Sequence, residues 1–240
     1  MKGWATITGS SNGIGAALAE VFAKNGYSIV LHGRNEVDLS NMHKKVISYG
    51  QEAVVVNGDI FEQKTFDAVV KHSQDKDIEL FVNNVGYRCP GIGLEDLTDI
   101  QIEEMFAMNC IIPIKLTREI YRHFLKGERG GNVMNINSIR GVEPKGLRSI
   151  YAATRFAMRG FSESIREEAS KTNVRVLNIY PARVKTKPEF EYGWSVIEAA
   201  EEIYRFFEGK NSDDLILDCV QKPTGTIQNI LPRARYLLSE

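Results

Sequence analysis

Short apolar runs alternate with amphipathic stretches from the first residues onward. Residues 4–8 (WATIT), 27–32 (YSIVLH), 53–57 (AVVVN), 78–82 (IELFV), 132–137 (NVMNIN) and 174–180 (VRVLNIY) are apolar-rich segments of strand length, as expected for strands buried on both faces. Helical periodicity fills the intervals. It predicts helices over about 14–24, ended by Asn25-Gly26, over 37–49, ended by Gly50, and over 62–74. It predicts two long helices, over 99–125 with a kink at Pro113 and over 149–171. A helix near 195–208 and a short strand near 214–219 complete the pattern. Strands separated by helices require right-handed crossovers. The expected fold is α/β: a doubly wound parallel sheet of about seven strands with helices on both faces, forming one domain over 1–240. From Pro223 to Glu240 the pattern is unreadable, and a docked helix and a partner-contacting tail remain the two readings.

The junction between the first strand and the first helix is the most informative segment. It reads Thr8-Gly9-Ser10-Ser11-Asn12-Gly13-Ile14-Gly15. A glycine-rich turn between a strand and a helix lets backbone approach a pyrophosphate. The helix N-terminus adds free N–H groups and a partial positive charge. The order strand, glycine loop, helix is what distinguishes a dinucleotide site from a chance glycine triplet.

The spacing Gly-x-x-x-Gly-x-Gly, preceded by Thr8, resembles the short-chain dehydrogenase/reductase family, whose fold is of the Rossmann type, and the resemblance extends along nearly the whole chain. It implies that Gly9, Ser11, Asn12, Gly13, Ile14 and Gly15 line a nicotinamide-dinucleotide site. It implies that Asp59 lies by the adenine and that Asn83, Val85 and Gly86, in Asn83-Asn84-Val85-Gly86, match an Asn-Asn-Ala-Gly element. It also implies that Pro181, Val184 and Thr186, in Pro181-Ala182-Arg183-Val184-Lys185-Thr186, contact the nicotinamide carboxamide region. At the end of the second strand, an NAD-selective site carries an acid for the ribose 2′-hydroxyl. This chain has Gly33 followed by Arg34. A guanidinium suits a 2′-phosphate by charge and by its forked donors, so NADP(H) is expected ahead of NAD(H). The competing reading stacks Arg34 on adenine or leaves it in solvent.

The same resemblance assigns the chemistry. Ser138 follows the fifth strand and Tyr151 stands thirteen positions later. Ser138 would hydrogen-bond a substrate carbonyl, and Tyr151 would exchange its proton as hydride moves. Asn109 matches an asparagine that organises a relay water. The departure is Arg155, four residues after Tyr151, where the family carries lysine. The i, i+4 spacing keeps both side chains on one helical face. Arginine can bind a ribose and depress a phenol that ordinarily titrates near ~10, but it cannot pass a proton along a relay. Two functions follow: an oxidoreductase acting between a carbonyl and an alcohol, and an NADP(H)-binding regulator or scaffold without turnover. A nucleotide-sugar epimerase or dehydratase fits less well, because only about 55 residues follow Thr186.

Composition changes this picture in one place. The net charge of −1 gives no overall attraction to nucleic acid or membrane. Yet residues 140–187 hold eleven Lys/Arg and four acids, a local +7 against −8 elsewhere. Arg140, Arg148 and Arg183 flank the expected site, which points to a substrate bearing carboxylate, phosphate or a nucleotide. The alternative is that these side chains solvate exposed helix faces. Only Lys187 to Gly193 remain for a substrate loop, so a short lid is expected. Cys89, Cys110 and Cys219 are widely spaced, and the four histidines lack metal-ligand spacing. No metal is expected. A reduced, cytoplasmic compartment fits best, with no signal peptide ahead of Trp4 and no apolar run of membrane-spanning length. Phe156, Met158 and Phe161 make the two long helices candidate faces for a homodimer or homotetramer.

Overall fold

The computed structural model describes residues 2–87, 91–186, 192–210, 212–221 and 230–237, with backbone only at 220–221 and 230–237. Strands β1 (Trp4–Ile7), β2 (Ser28–Gly33), β3 (Ala53–Asn57), β4 (Leu80–Asn83), β5 (Gly131–Ile136) and β6 (Val174–Pro181) fall on the predicted apolar runs. Two further two-residue strands, β7 (Val184–Lys185) and β8 (Trp194–Ser195), pair with each other. The main sheet is completed by β9 (Asp214–Gln221) and β10 (Ile230–Leu237), in the order β10-β9-β6-β5-β4-β1-β2-β3. All its neighbours are parallel except β10, which runs antiparallel to β9. Part of the tail is therefore an edge strand rather than a docked helix, and the main sheet has eight strands.

Helices cover both faces. On one side, α1 (Gly13–Lys24), α2 (Glu36–Ser48) and α7 (Val196–Gly209) bury Leu18, Phe22, Leu39, Val46, Ile203 and Phe207 against the sheet. On the other, α3 (Gln63–Asp75), α5 (Ile112–Lys126) and α6 (Ser149–Ala169) contribute Val69, Leu116, Ile120, Phe124 and Ala169. Chain order reverses between β1 and β4. In an open parallel sheet, the crevice at the carboxyl ends beside such a reversal is where ligands collect.

The predicted long helix over 99–125 is broken before its proline. It divides into α4 (Asp99–Phe106), a π-helical turn over Ala107–Ile111, and α5. Pro113 lies in the first turn of α5. It has no N–H to give the carbonyl four residues earlier, that of Asn109, so the α pattern cannot run through this point. The widened turn that results buries Asn109 and Cys110 beneath the crevice.

Phe22 shows how tightly α1 and α7 are joined. Its ring is fully buried and meets Tyr27, Tyr204 and Phe207 at centroid distances of 5.4, 5.1 and 5.5 Å. Phe22→Ala is expected to cost about 3–5 kcal/mol, read as a lowered urea midpoint with an unchanged m-value. A loss below about 1 kcal/mol would mean the cluster does not carry this side of the core.

Candidate active site

The glycine loop is shaped by backbone that only glycine tolerates at low cost. Gly9 has φ +67° and Gly13 has φ +58°. Gly15 acts differently: a Cβ there would stand 2.2 Å from the Gly9 carbonyl oxygen. Its missing side chain lets α1 close on the loop rather than on a ligand. The loop is stapled on two sides. The Thr8 hydroxyl donates to the Val82 carbonyl (3.1 Å) and accepts from the Asn84 N–H (3.0 Å). Asn84 Nδ2 donates to the carbonyls of Thr8 and Gly9 at 2.9 and 3.1 Å. On the β2 side, the Gly9 N–H donates to His32 Nδ1 at 3.3 Å. The α1 N-cap, Asn12, makes no side-chain cap, and no acid lies in the first turn. The N-terminal amides of a twelve-residue helix thus open toward the cavity.

Three predicted residues take positions that the sequence did not specify. The side chain of Asn83 turns beneath the cavity, donating to Thr117 Oγ1 and Asn135 Oδ1, while Asn84 lines the wall. A Cβ at Gly33 would lie 2.9 Å from Ser11 Oγ, so the loop itself excludes a side chain there. Arg34 follows, 76% exposed in its side chain, with Nη1 3.5 Å from Asp59 Oδ2.

At the other end, Ser138 caps a short 3-10 turn after β5, its Oγ accepting from the Arg140 N–H at 3.2 Å. Tyr151 lies in the first turn of α6 and hydrogen-bonds Ser138 and Arg155. The Arg155 guanidinium carbon is 5.0 Å from the Tyr151 ring centroid, and Nη2 donates to Asn109 Oδ1 at 3.2 Å. Asn109 in turn holds the Tyr87 backbone at both N–H and carbonyl (2.7 and 3.3 Å) and donates to Thr154 Oγ1 at 3.1 Å. Ser138, Tyr151, Arg155 and Asn109 are thus brought into one connected set. Arginine fits here because Gly86 lacks a Cβ, which would sit 2.7 Å from Arg155 Nη2. Burial alone would raise the Tyr151 phenol. The charge of Arg155, hydrogen bonds from Ser138 and Arg155, and the charge of Arg148 outweigh it and bring the phenol below its ordinary value.

One cavity of about 670 Å³ joins the two ends. Its far wall is Pro181, Ala182, Arg183, Val184 and Thr186, and the Thr186 methyl approaches to 3.5 Å from where a Gly13 Cβ would be. Two observations favour a dinucleotide in it. The glycine cradle leaves backbone amides exposed at α1, and Arg155 Nε, on a side chain only 7% exposed, is a buried donor without a partner. The stretch Lys187 to Glu191 and Cys89 lie outside the described residues. Among the described residues no group of His, Cys, Asp and Glu is placed to hold a metal ion.

The model of the short-chain dehydrogenase family matches residues 3–191. The chain belongs to the short-chain dehydrogenase family. An uncharacterized oxidoreductase of Staphylococcus epidermidis is 30% identical over 187 residues, 76% of this chain and 78% of that one. The bovine very-long-chain 3-oxoacyl-CoA reductase is 30% identical over 189 residues, 77% of this chain and 60% of that protein. A short-chain dehydrogenase from Sphingobium yanoikuyae, solved in complex with NADPH, superposes with a TM-score of 0.78 at 25% identity, covering 86% of this chain and 85% of that one. Seen as a short-chain dehydrogenase, the chain departs at Arg155, with Val85 and Ala182 as smaller departures.

Sequence reasoning missed His32. It is a buried residue inside an apolar strand, so nothing in its spacing marked it. Burial pushes its imidazole down to about 4, and only the neutral ring can accept from Gly9. A histidine lowered in the folded state is protonated more readily in the unfolded chain. Its contribution to stability is therefore whole above about 6.5 and declines as pH falls toward about 4. His32→Asn, which retains an acceptor but does not titrate, should flatten the stability slope between pH 6.5 and 4. His32→Leu should weaken binding of a nicotinamide dinucleotide at pH 7.5 several-fold. Unaltered affinity in the leucine variant would remove His32 from the loop's support.

Proposed function

We propose that the chain is an NADP(H)-dependent oxidoreductase interconverting a carbonyl and an alcohol in an anionic small molecule. The observation that carries this reading is the convergence of Ser138, Tyr151 and Arg155 at the mouth of the dinucleotide cavity. The nicotinamide, when bound, supplies or accepts the hydride. Ser138 and Tyr151 then hold the substrate oxygen between two hydroxyls, and Tyr151 gives its proton to that oxygen in reduction or takes it in oxidation. Arg155 has two tasks: it stabilises the anionic phenol left behind, and its free Nε is the donor for the nicotinamide ribose. Each unit by which the phenol is lowered is worth about 1.4 kcal/mol.

The preference for NADP(H) rests on Gly33 and Arg34. An acid at position 33 would collide with Ser11, and Arg34 reaches the adenine end beside Asp59 with most of its surface free. The similar Sphingobium protein was solved with NADPH. The anionic substrate rests on Arg140, Lys145, Arg148 and Arg183, all of which line the cavity. A homodimer belongs to the same proposal: Phe156 on α6 is 39% exposed, whereas Met158 packs inward. A cytoplasmic setting accords with free Cys110 and Cys219, and no described helix is long and apolar enough to cross a membrane. The second reading, a regulator that binds NADP(H) without turnover, is favoured by Arg155 alone, since its bond to Asn109 replaces a proton-passing group with one that keeps its protons.

Direct titration of the purified protein should show NADPH binding at least tenfold more tightly than NADH, and Arg34→Ala should erase most of that gap. Equal affinities in the parent protein would sink the Arg34 argument and leave the family intact. Where a rate is measurable, Tyr151→Phe should lower kcat by at least a hundredfold. Arg155→Lys should change kcat and the pH at which it half-rises. A regulator would show neither effect.

A further inference from the structure

Asn109 is fully buried, and its carboxamide has no bonding capacity left over. Oδ1 accepts from the Tyr87 N–H at 2.7 Å and from Arg155 Nη2 at 3.2 Å. Nδ2 donates to the Tyr87 carbonyl at 3.3 Å and to Thr154 Oγ1 at 3.1 Å. Only one orientation of a carboxamide satisfies such a set, with its oxygen toward two donors and its amino group toward two acceptors. The reversed group would press its amino hydrogens against a guanidinium and a backbone N–H, donors all.

Thr154 is what makes its own corner an acceptor. Its hydroxyl hydrogen is committed to the Tyr151 carbonyl, 2.8 Å away and one turn back along α6. The oxygen can then only accept, and it faces Asn109. The side chain is wholly buried, so solvent offers no alternative partner. The residue after Asn109 meets Thr154 as well: Cys110 Sγ donates to the Thr154 carbonyl at 3.2 Å. The π turn is thus joined to Thr154 at both hydroxyl and main chain. Tyr87, the other residue that distinguishes the two ends of the carboxamide, lies on the loop after β4. Of the two, Thr154 belongs to the helix that carries Tyr151 and Arg155.

The main chain of Arg155 is fixed separately. Asn137 Nδ2 donates to its carbonyl at 3.1 Å, and a Cβ at Gly141 would stand 2.9 Å from the same oxygen. These contacts leave the long side chain to be placed by others. Its guanidinium is held by Asn109 Oδ1 and by Tyr151 itself, with its carbon 5.0 Å from the ring centroid.

We infer that Thr154 is a positioning residue for the proton chemistry of Tyr151: its hydroxyl fixes the end of the Asn109 carboxamide that faces Arg155, and so holds the guanidinium against the phenol. The inference deepens the oxidoreductase reading above and rests on it for the reaction served. Thr154 itself touches no reacting atom. Burial raises the Tyr151 phenol; Arg155 and Arg148 from α6 and Ser138 from the turn after β5 lower it, and the charge of Arg155 is the strongest of these. Cys110, beside Thr154, stays a neutral thiol, because burial pushes it up to about 11. A guanidinium that shifts must therefore show in the titration of Tyr151.

The test reads that titration without cofactor or substrate. The full chain is labelled at its tyrosine rings, and the NMR signal absent from Tyr151→Phe is followed against pH. Thr154→Val keeps the branched shape and removes the hydroxyl. It should raise the midpoint by about half a pH unit or more, a factor of about three in the ionisation constant. Thr154→Ser, which keeps the hydroxyl, should restore most of the parent midpoint. In an Asn109→Ala background Thr154→Val should add no further shift. Thermal melting is the control for folding, and Thr154→Ala takes the place of valine if that chain does not fold. An unmoved midpoint in the folded variant would overturn the inference and reduce Thr154 to packing. So would an equal shift in Thr154→Ser, or a full shift that persists without Asn109. A shifted midpoint in a chain that consumes no NADPH with a panel of ketones and aldehydes supports the clamp and counts against turnover. Turnover with an unmoved midpoint does the reverse.

Discussion

A guanidinium that keeps its charge is buried at the centre of this protein, and the architecture of the site follows from accommodating it. Arg155 has no described carboxylate within ion-pair distance, and an unpaired buried charge is among the costliest features a fold can contain. Its environment answers with dipoles and with a phenol held below its ordinary value. Asn109 Oδ1 accepts from one end, Tyr151 lies beneath the guanidinium, and the missing Cβ of Gly86 leaves the width that arginine needs. The same charge that must be stabilised is what lowers Tyr151. Charge burial and proton chemistry are one arrangement seen from two sides.

That arrangement depends on elements distant in sequence. Asn109 is presented by the π turn, and the π turn stands where Pro113 denies the α pattern its donor. Asn109 also grips the Tyr87 backbone, so the loop after β4 and the helix carrying Arg155 are joined through one carboxamide. At the cofactor end the logic is similar. Thr8, Asn84 and His32 hold the glycine loop from β4 and β2, so that its free amides face the cavity rather than one another. Asn84 satisfies the carbonyls of Thr8 and Gly9, and the Asn12 side chain leaves the first amides of α1 uncapped.

Much of this was legible in one dimension. Parallel strands covered by helices read as apolar runs, and their alternation with amphipathic segments left few topologies open. Glycines at fixed offsets between a strand and a helix are visible without coordinates. The Ser138, Tyr151 and Arg155 set was legible only through the family resemblance, which the shared helical face of Tyr151 and Arg155 supports. The illegible parts have physical causes. His32 lies in an apolar strand and is distinguished only by the amide that crosses to it. Asn83 and Asn84 are adjacent and alike, yet strand alternation sends one into the core and the other to the cavity. The tail has no clear apolar periodicity, and β10 is fixed by antiparallel pairing with β9 at the sheet edge.

The sequence by itself determined the α/β class and the glycine loop of the crevice, because each depends on periodicity or on spacing at one junction, while the residues for proton chemistry were legible through the family resemblance. Only the tertiary structure decided that arginine could occupy the position after Tyr151. That outcome depends on a missing Cβ at Gly86 and a carboxamide at Asn109, both set by packing between segments tens of residues apart. Only the tertiary structure, likewise, turned scattered basic residues into a charged half-cavity, since charge acts through space and the chain had to fold before Arg148 and Arg183 could face the same volume.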